Sequence, residues 1–530
     1  MRPLVVALVL FASTTAHAGP ESIGKVFELL EASQLGEAKA IVDGEQSRAG
    51  LGPLLAGAYA LYDGAYSDAQ HALERAIDSG TLEGRLLAEA TELKNLAQAT
   101  DGVTKGFVSR RSEHFEIKLA PAEAELLAAP ALEALERALV AIGDDLGEKP
   151  TALIRVEIYG EISDLAKVSP LTVAEIETSG TIALCKYNRL MATSPRALVA
   201  GYPWLDTLSH ELTHFLVNRA SRNTVPIWLH EGIAKLEERR WREPFGAALP
   251  PVLEHLLASG LRDHHLIPFS AMHPSMAKLP SQEDAGLAFA EVTTAVQFLT
   301  EGRGPASLRK LLGALRDGTE LSRAIALVTG LSFAKFEQRW RVWLAARGYK
   351  THPELGMAKL RFRMPGGKES KDEDEAGEHG QSKSHAQARA RGHVRLGTMF
   401  RTRGKLVAAA AEYERAGSIL GAGHPEIAGR LGRTYLELKQ WDQAIGAAKP
   451  GIARRPDSAG LHVTVGRALL EKGDAAGARP FLEGALAVNP YDPQTRCGLA
   501  QVYGALADTR ATRESAACDK LGGRASSTAK

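Results

Sequence analysis

The feature that most constrains the fold is a pair of histidines four residues apart, in the segment His210-Glu211-Leu212-Thr213-His214. Residues four apart lie on one face of an α-helix, so both imidazoles can bind one ion only if this segment is helical. Apolar residues recur at helical spacing around it, namely Leu205, Leu208, Leu212, Phe215 and Leu216. The pattern predicts a helix over Trp204–Val217 that is packed into a core, which holds its polar side chains in fixed positions.

The same segment indicates a chemistry. Two neutral imidazoles are good ligands for Zn²⁺, and Glu211 lies beside the ion rather than on it, where a carboxylate can accept a proton from water. A His-x₃-His pair alone is more often a pair of partly buried polar residues with no metal. Here a second segment, Trp228-Leu229-His230-Glu231-Gly232, places Glu231 seventeen residues after His214, and the two segments together favour metal binding.

The third ligand could be Glu231 or its neighbour His230. Adjacent helical residues point about 100° apart, so only one of them can face the ion. Glu231 stands four residues after Ile227 and three before Ala234, both on the apolar side of a helix predicted over Pro226–Arg242. We therefore predict Glu231 as the ligand and His230 as an accessory residue at the cleft rim, contacting substrate or the oxyanion. Gly232 is expected to let this helix approach the His210–His214 helix.

The segment before the histidines is rich in β-branched and apolar residues. Thr151–Tyr159 and Thr181–Met191 are predicted to be strands, and a sheet followed by an active-site helix is a common support for such a site. Thr181–Met191 is further predicted to provide the edge strand on which an extended peptide lies.

These residues together resemble the peptidase MA-like family of gluzincins, distant relatives of thermolysin. The resemblance covers Ser112–Tyr349 and includes a closing Gly-x-Ser…Phe-Glu-x-x-Trp run from Gly330 to Trp340. It implies an α+β zincin-like metallopeptidase domain over residues 109–350. It also implies one Zn²⁺ held by His210, His214 and Glu231, with Glu211 as the general base. The chain departs from the family at two positions: Lys235 replaces an Asp that orients a histidine, and Phe289 stands where members often have Tyr.

The carboxy-terminal third repeats itself. Aligned pairs at Leu396-Gly397, Leu431-Gly432, Val465-Gly466 and Leu499-Ala500 are 35, 34 and 34 residues apart, and an Ala stands twelve residues after each of the three glycines. This spacing is similar to the period of the tetratricopeptide repeat, in which small residues let paired helices approach closely. We predict a three-repeat array with a capping helix over residues 387–525, and a degenerate repeat-like helical region over residues 19–108.

The remaining segments connect these parts. Residues 351–386 are predicted to be a charged, flexible linker, since Pro365–Ser384 has almost no apolar residues. Arg2, an apolar run over Pro3–Ala12 and the sequence Ala16-His17-Ala18 are typical of a secretory signal peptide, residues 1–18. The run is too short to span a bilayer, and no later stretch is long enough, so no transmembrane segment is expected after cleavage.

Composition and cysteines agree with an exported protein. The formal net charge of +1 on 530 residues argues against nucleic acid as a partner. Of three cysteines, Cys497 and Cys518 are the plausible disulfide couple in an oxidising compartment, while Cys185 falls in a predicted strand.

The sequence thus predicts a multidomain protein, with an α+β zincin-like metallopeptidase domain flanked by all-α tetratricopeptide-type repeats. Its expected function is a periplasmic or secreted zinc metallopeptidase that hydrolyses peptide bonds, with repeats that bind a protein partner or substrate. The alternative is a non-catalytic repeat scaffold in an envelope assembly, with a vestigial metallopeptidase domain. Retention of Glu211 favours the first, because a scaffold does not need the base.

Overall fold

The computed structural model describes residues 19–273, 275–276, 279–355, 360–363, 385–421 and 423–523. The predicted signal peptide and most of the predicted linker lie outside the described residues, and both stay predictions. The chain forms two compact units, Met1–Gln98 and Ala99–Lys530, which are described one at a time. None of the described helices is both long enough and apolar enough to cross a membrane.

The amino-terminal unit consists of helices in antiparallel pairs: α1 (Gly19–Glu31), α2 (Leu35–Glu45), α3 (Leu51–Tyr62), α4 (Tyr66–Asp78) and the first part of α5 (Gly84–Thr104). Gly57 of α3 explains the close approach of α3 to α4. A Cβ atom at Gly57 would lie 2.5 Å from Cγ of Leu73, so only glycine fits there. This is the place where the sequence predicted a repeat-like helical pair.

One five-stranded mixed sheet supports the central region. Its strands are β1 (Val108–Arg111), β2 (Phe115–Leu119), β3 (Ile154–Tyr159), β4 (Ala183–Lys186) and β5 (Arg189–Thr193). They lie in the order β1-β2-β3-β5-β4, with β2, β3 and β5 parallel and the two outer strands antiparallel to their neighbours. Alternate residues of β3 face opposite sides: Ile154, Val156 and Ile158 join the main core, and Tyr159 joins a smaller one.

The strand predicted over Thr181–Met191 is two strands joined by a turn. Tyr187 and Asn188 both adopt left-handed backbone, at φ of 54° each, which is the conformation of a two-residue hairpin turn. The turn reverses the chain so that β4 lies at the sheet edge, as expected for this segment, while β5 lies inside the sheet.

Helices cover the sheet and form the rest of the central region: α6 (Pro121–Leu146), α7 (Ile162–Lys167), α8 (Val173–Ser179), α9 (Trp204–Ser221), α10 (Ile227–Glu237), α11 (Pro251–Arg262), α12 (Gln282–Thr300), α13 (Ala306–Arg316), α14 (Leu321–Thr329) and α15 (Phe333–Ala346). The helices predicted over Trp204–Val217 and Pro226–Arg242 correspond to α9 and α10. Pro226 is the N-cap of α10, which suits its fixed φ and missing N–H.

The carboxy-terminal region is a stack of four helical hairpins: α16 (His385–Thr402), α17 (Leu406–Leu420), α18 (Pro425–Glu437), α19 (Trp441–Arg454), α20 (Ala459–Glu471), α21 (Ala475–Leu486), α22 (Pro493–Ala505) and α23 (Ala511–Lys520). The repeated glycines are at the helix contacts. A Cβ at Gly397 would lie 2.6 Å from the ring of Tyr413, and one at Gly466 would lie 2.6 Å from Leu482. Cys497 and Cys518 form a disulfide that joins α22 to α23, the couple that the sequence favoured.

We call α16–α23 the array, and residues 108–346 the central region. Hydrogen bonds join the two at main-chain atoms, and both belong to the same compact unit. The N–H of Tyr202 donates to the carbonyl of Val488 (3.1 Å), and the indole of Trp204 donates to that of Leu486 (3.0 Å). The buried guanidinium of Arg496 donates to the carbonyl of Leu126 (2.5 Å). The array is therefore packed onto the central region.

Candidate metal centre

Helix α9 carries three of the predicted site residues on its buried length. His210 and His214 are one turn apart, and Glu211 is 5% exposed. The apolar face predicted from the sequence is in the main core, where Leu205, Leu208 and Leu212 are each buried. Because this packing fixes the helix, the positions of the two imidazole rings depend only on their side-chain rotamers.

Helix α10 brings the third residue to the same point. Gly232, next to Glu231, lies against α12: a Cβ there would be 2.6 Å from the carbonyl oxygen of Val292 and 2.7 Å from a methyl of Val296. The expectation that Gly232 allows close approach to α9 is therefore wrong, because its close contact is with α12. Glycine at this position lets α10 approach α12, which places Glu231 beside the histidines.

The three predicted ligands converge. Nε2 of His210 lies 3.1 Å from Nε2 of His214. One oxygen of Glu231, Oε2, lies 3.4 Å from the first nitrogen and 3.5 Å from the second. Two imidazole nitrogens and a carboxylate oxygen, all within 4.8 Å of one another, are a donor set that suits Zn²⁺ with one coordination position left open. Among the described residues these three form the one group of histidine, cysteine and acidic side chains with such geometry.

His230 lies on the other side of the His214 ring. Its Nδ1 is 2.6 Å from Nδ1 of His214, and its Nε2 is 2.9 Å from Oδ1 of Asn218. Since Asn218 Oδ1 only accepts, His230 donates from Nε2 and accepts at Nδ1, so His214 donates from Nδ1. This tautomer leaves the lone pair of His214 Nε2 facing His210 and Glu231, as a metal ligand requires.

His230 is therefore placed to orient His214. It does not lie at the cleft rim, where the sequence argument put it for contact with substrate or an oxyanion. The offset between His230 and Glu231 was predicted correctly, but the space that His230 enters is filled by His214 and Asn218. Burial lowers the pKa of His230 to about 3, so the ring is neutral at ordinary pH.

His210 has a corresponding neighbour that the sequence argument missed. Oε2 of Glu238 lies 3.4 Å from Nδ1 of His210 and 2.8 Å from Nζ of Lys235. Glu238 stands seven residues after Glu231, about two helical turns, so both carboxylates are on one side of the chain. Lys235 pairs with Glu238 and lies 5.2 Å from the ring centre of Phe289.

The charges of the cluster act on one another. Burial alone would lower the pKa of His210, but the neighbouring carboxylates of Glu231 and Glu238 outweigh this and raise the pKa to about 9. Burial opposes ionisation of Glu231, yet the adjacent His214 and His210 hold its pKa well below the ordinary value. Both imidazoles must be neutral to bind a metal, so a cation at this site competes with protons.

Glu211 lies between the histidines and the edge strand. Burial raises its pKa above the ordinary carboxylate value, while His214, His210 and a hydrogen bond from the N–H of Cys185 lower it in part. Its Oε2 has no hydrogen-bond partner among the described residues. A buried carboxylate with a raised pKa and an unused oxygen has the properties of a general base.

The register of the edge strand shows which of its groups face Glu211. The N–H of Thr193 donates to the carbonyl of Ile182, so Ile182 bonds into the sheet and the next residue, Ala183, turns its N–H and carbonyl outward. Cys185 has the same phase, and its N–H points to Glu211. The main-chain groups of Ala183 therefore lie on the open side of β4, the side of Glu211.

Comparisons with solved structures show weak similarity. "MamA MSR-1 C2" is 18% identical over 25% of this chain and 75% of that chain, with a TM-score of 0.22. Native yeast LTA4 hydrolase is 14% identical over 78% of this chain and 67% of that chain, with a TM-score of 0.30. The APC/C hetero-tetramer Cut9-Hcn1 is 13% identical over 93% of this chain and 82% of that chain, with a TM-score of 0.25. Similarity at these values carries no argument about fold or function.

Sequence families are more informative. No curated protein matches the chain. Residues 134–346 match the family model of the Peptidase MA superfamily. That match contains α9, α10 and every residue of the cluster described above. The central region is thus similar to the Peptidase MA superfamily, and the His210–His214–Glu231 cluster lies within the matched residues.

Proposed function

We propose that the protein is an exported, zinc-dependent metallopeptidase of the gluzincin type. The single observation that carries this is the convergence of His210 Nε2, His214 Nε2 and Glu231 Oε2 beside the unused oxygen of Glu211. The match of residues 134–346 to the Peptidase MA superfamily supports the same reaction class. The disulfide between Cys497 and Cys518 supports an oxidising compartment, which agrees with export.

A zinc ion held by His210, His214 and Glu231 would polarise the scissile carbonyl and lower the pKa of a water molecule. Each ligand has a neighbour that holds it: His230 for His214, Glu238 for His210, and the histidines themselves for Glu231. Glu211 Oε2 accepts the proton of the attacking water and passes it to the nitrogen of the leaving amine, which lets the C–N bond break.

The substrate would bind as an added strand. An extended peptide paired with the outward N–H and carbonyl of Ala183 runs along β4 and passes Glu211. Main-chain pairing gives affinity without selecting a side chain, so specificity must come from groups beside the strand.

Substitution of Glu211 by Gln tests the reaction. Gln keeps the size of the side chain but cannot accept the proton, so kcat/KM for a peptide should fall about 10²–10⁴-fold while the zinc content stays the same. Glu291→Gln is the matched control, because it makes the same change at another buried carboxylate of the central region. Normal cleavage by the Glu211 variant would remove the proposed base. A wild-type protein that cleaves no member of a peptide library would favour the scaffold alternative.

Export has its own test. Fractionation of the source cells should recover a chain that begins at Gly19, since the predicted cleavage follows Ala18. Recovery of the chain from the cytoplasm with its first eighteen residues intact would contradict the proposal without affecting the metal centre.

A further inference from the structure

A cavity of about 1340 Å³ lies between the central region and the array. Arg137, Trp241 and Phe289 are among the residues that line it from the central region. His462, Arg479 and Tyr503 line it from the array. It is larger than the range of roughly 300–1,000 Å³ typical of sites for small ligands. Its size therefore suits a stretch of polypeptide.

The cavity begins where the metal centre and the edge strand end. Glu238, which lies 3.4 Å from the His210 ring, is in its wall together with Lys235. Gly180 and Ile182 also line it, and Ile182 is followed directly by Ala183 of β4. A peptide paired with Ala183 would therefore continue into this space.

The array wall is fixed in place rather than loosely apposed. Besides the hydrogen bonds at Val488 and Leu486, the hydroxyls of Ser194 and Tyr491 lie 3.0 Å apart. Gly201 has a positive φ, and a Cβ there would collide with the carbonyl oxygen of Val488. The chain needs glycine at this point of contact, which indicates that the two surfaces are complementary in shape.

Cations predominate in the lining. Nine lysine and arginine side chains face six aspartate and glutamate side chains there, an excess of three on a chain whose net formal charge is +1. Arg137 lies over the ring of Trp241 at 5.6 Å, and no carboxylate among the described residues forms an ion pair with it. Several of these cations pair with acidic neighbours, Arg479 with Glu483 among them, and the remaining excess of positive charge attracts ligands of the opposite sign.

We propose that this cavity binds the peptide substrate beyond the edge strand, that it selects segments rich in aspartate and glutamate, and that the array is its second wall. This proposal rests on the proposed peptidase function, because only a peptidase would have this peptide as its substrate. It adds the class of substrate. Under it, the array acts in specificity within its own chain rather than only as a docking module for a separate partner.

The test measures binding without hydrolysis. The zinc-loaded Glu211→Gln protein is titrated into a fluorescein-labelled ten-residue peptide that alternates Glu with Ala, and into its Lys counterpart, and anisotropy is recorded. The acidic peptide should bind on the order of tenfold tighter, and the difference should shrink as salt is raised. Equal affinity for the two peptides would overturn the proposal.

Variants locate the binding site. Arg137→Gln and Arg479→Gln remove one cation from each wall and should each weaken binding of the acidic peptide several-fold. Arg403→Gln is the control, since Arg403 is an exposed residue of the array that does not line the cavity. Loss of affinity in the Arg403 variant alone, or in none of the three, would contradict the cavity as the site. Circular dichroism checks that each variant is folded.

The two proposals can fail separately. If wild-type protein cleaves no peptide but the acidic peptide still binds through Arg137 and Arg479, the cavity stands and the peptidase function falls. If peptides are cleaved with no preference for acidic segments and neither variant changes cleavage, the peptidase function stands and the cavity proposal falls.

Discussion

Two buried groups of charged side chains, one in the array and one in the metal centre, satisfy their hydrogen bonds to different extents. In the array, Arg496 and Glu514 are 1% and 0% exposed, and the guanidinium bonds to Glu514, to the carbonyl of Pro490 and to that of Leu126. In the metal centre, Glu211 Oε2 and His210 Nδ1 have no hydrogen-bond partner among the described residues. Burial of charge is costly without partners, so the satisfied first group fits a structural role and the unsatisfied second group indicates a ligand site.

An unsatisfied buried group is not sufficient by itself. Glu291 has one oxygen bonded to the N–H of Ile267 and one without a partner in the described part of the chain, yet no other ligand atom converges on it. What distinguishes the metal centre is three ligand atoms that point to one place, with neighbours that fix their orientation.

The largest effect is expected in the array. Arg496→Met leaves the buried Glu514 with Arg513 as its remaining partner, and this should lower the free energy of unfolding by about 3–5 kcal/mol. The double variant Arg496→Met/Glu514→Leu should recover much of the loss, because it removes the second charge as well. Chemical denaturation provides the measurement. If Arg496→Met were as stable as the wild type, the Arg496–Glu514 pair would not contribute to the stability of the array.

Smaller effects are expected at the residues that orient the ligands. His230→Ala and Glu238→Ala should each weaken zinc binding about 10–100-fold, the usual cost of losing such a neighbour. His230→Gln should restore part of the affinity, since its amide oxygen can accept from His214 Nδ1. Competition with a chelator of known affinity measures this. Unchanged zinc affinity in both alanine variants would show that the ligands are held by packing alone.

Glu291 provides a prediction about pH. Burial raises its pKa to about 8, while the N–H of Ile267 opposes the shift. The folded protein then binds a proton that the unfolded chain releases near its ordinary pKa of 4.5, so this group lowers stability as pH rises from about 4.5 to 8. Glu291→Gln should remove that loss and stabilise the protein by up to about 4 kcal/mol at pH 8, with little change at pH 4. A variant that is less stable at pH 8 would contradict this assignment.

The smallest effect is expected from cutting the chain within Pro365–Ser384. Their polar composition predicts a preferred site of limited proteolysis. Because the array bonds to the central region at Val488, Leu486 and Leu126, the two fragments should co-elute in size-exclusion chromatography and keep peptidase activity. Fragments that separate without denaturant would show that the contact between array and central region is weak.

Local spacing was enough to predict the helices of the site and the small residues of the array. The His210–His214 interval, the offset of Glu231 and the glycine period each depend on geometry within one or two helices. The Cys497–Cys518 couple followed from its position in one helical region, and the presence of strand structure within Thr181–Met191 from its composition.

Contacts between distant segments were not predictable in this way. Glu238 and Asn218 support the histidines because of the way α9 and α10 pack against each other. Residue spacing within one helix does not identify such contacts. Gly232 was assigned to the wrong neighbour because a glycine indicates a close approach without naming the other helix. The turn at Tyr187-Asn188 was missed because Tyr rarely adopts positive φ, although Asn188 was a weak signal. The packing of the array onto the central region depends on main-chain carbonyls, which leave no mark in the sequence.

The central claim is that one zinc ion binds at His210, His214 and Glu231. The most direct test is the zinc content of the purified protein and of three variants after dialysis against a weak chelator, measured by mass spectrometry. We expect one zinc per chain in the wild type and in His230→Ala, and almost none in His214→Ala or Glu231→Ala. A wild-type protein that retains no zinc, or a loss confined to His230→Ala with Glu231→Ala fully loaded, would contradict the claim.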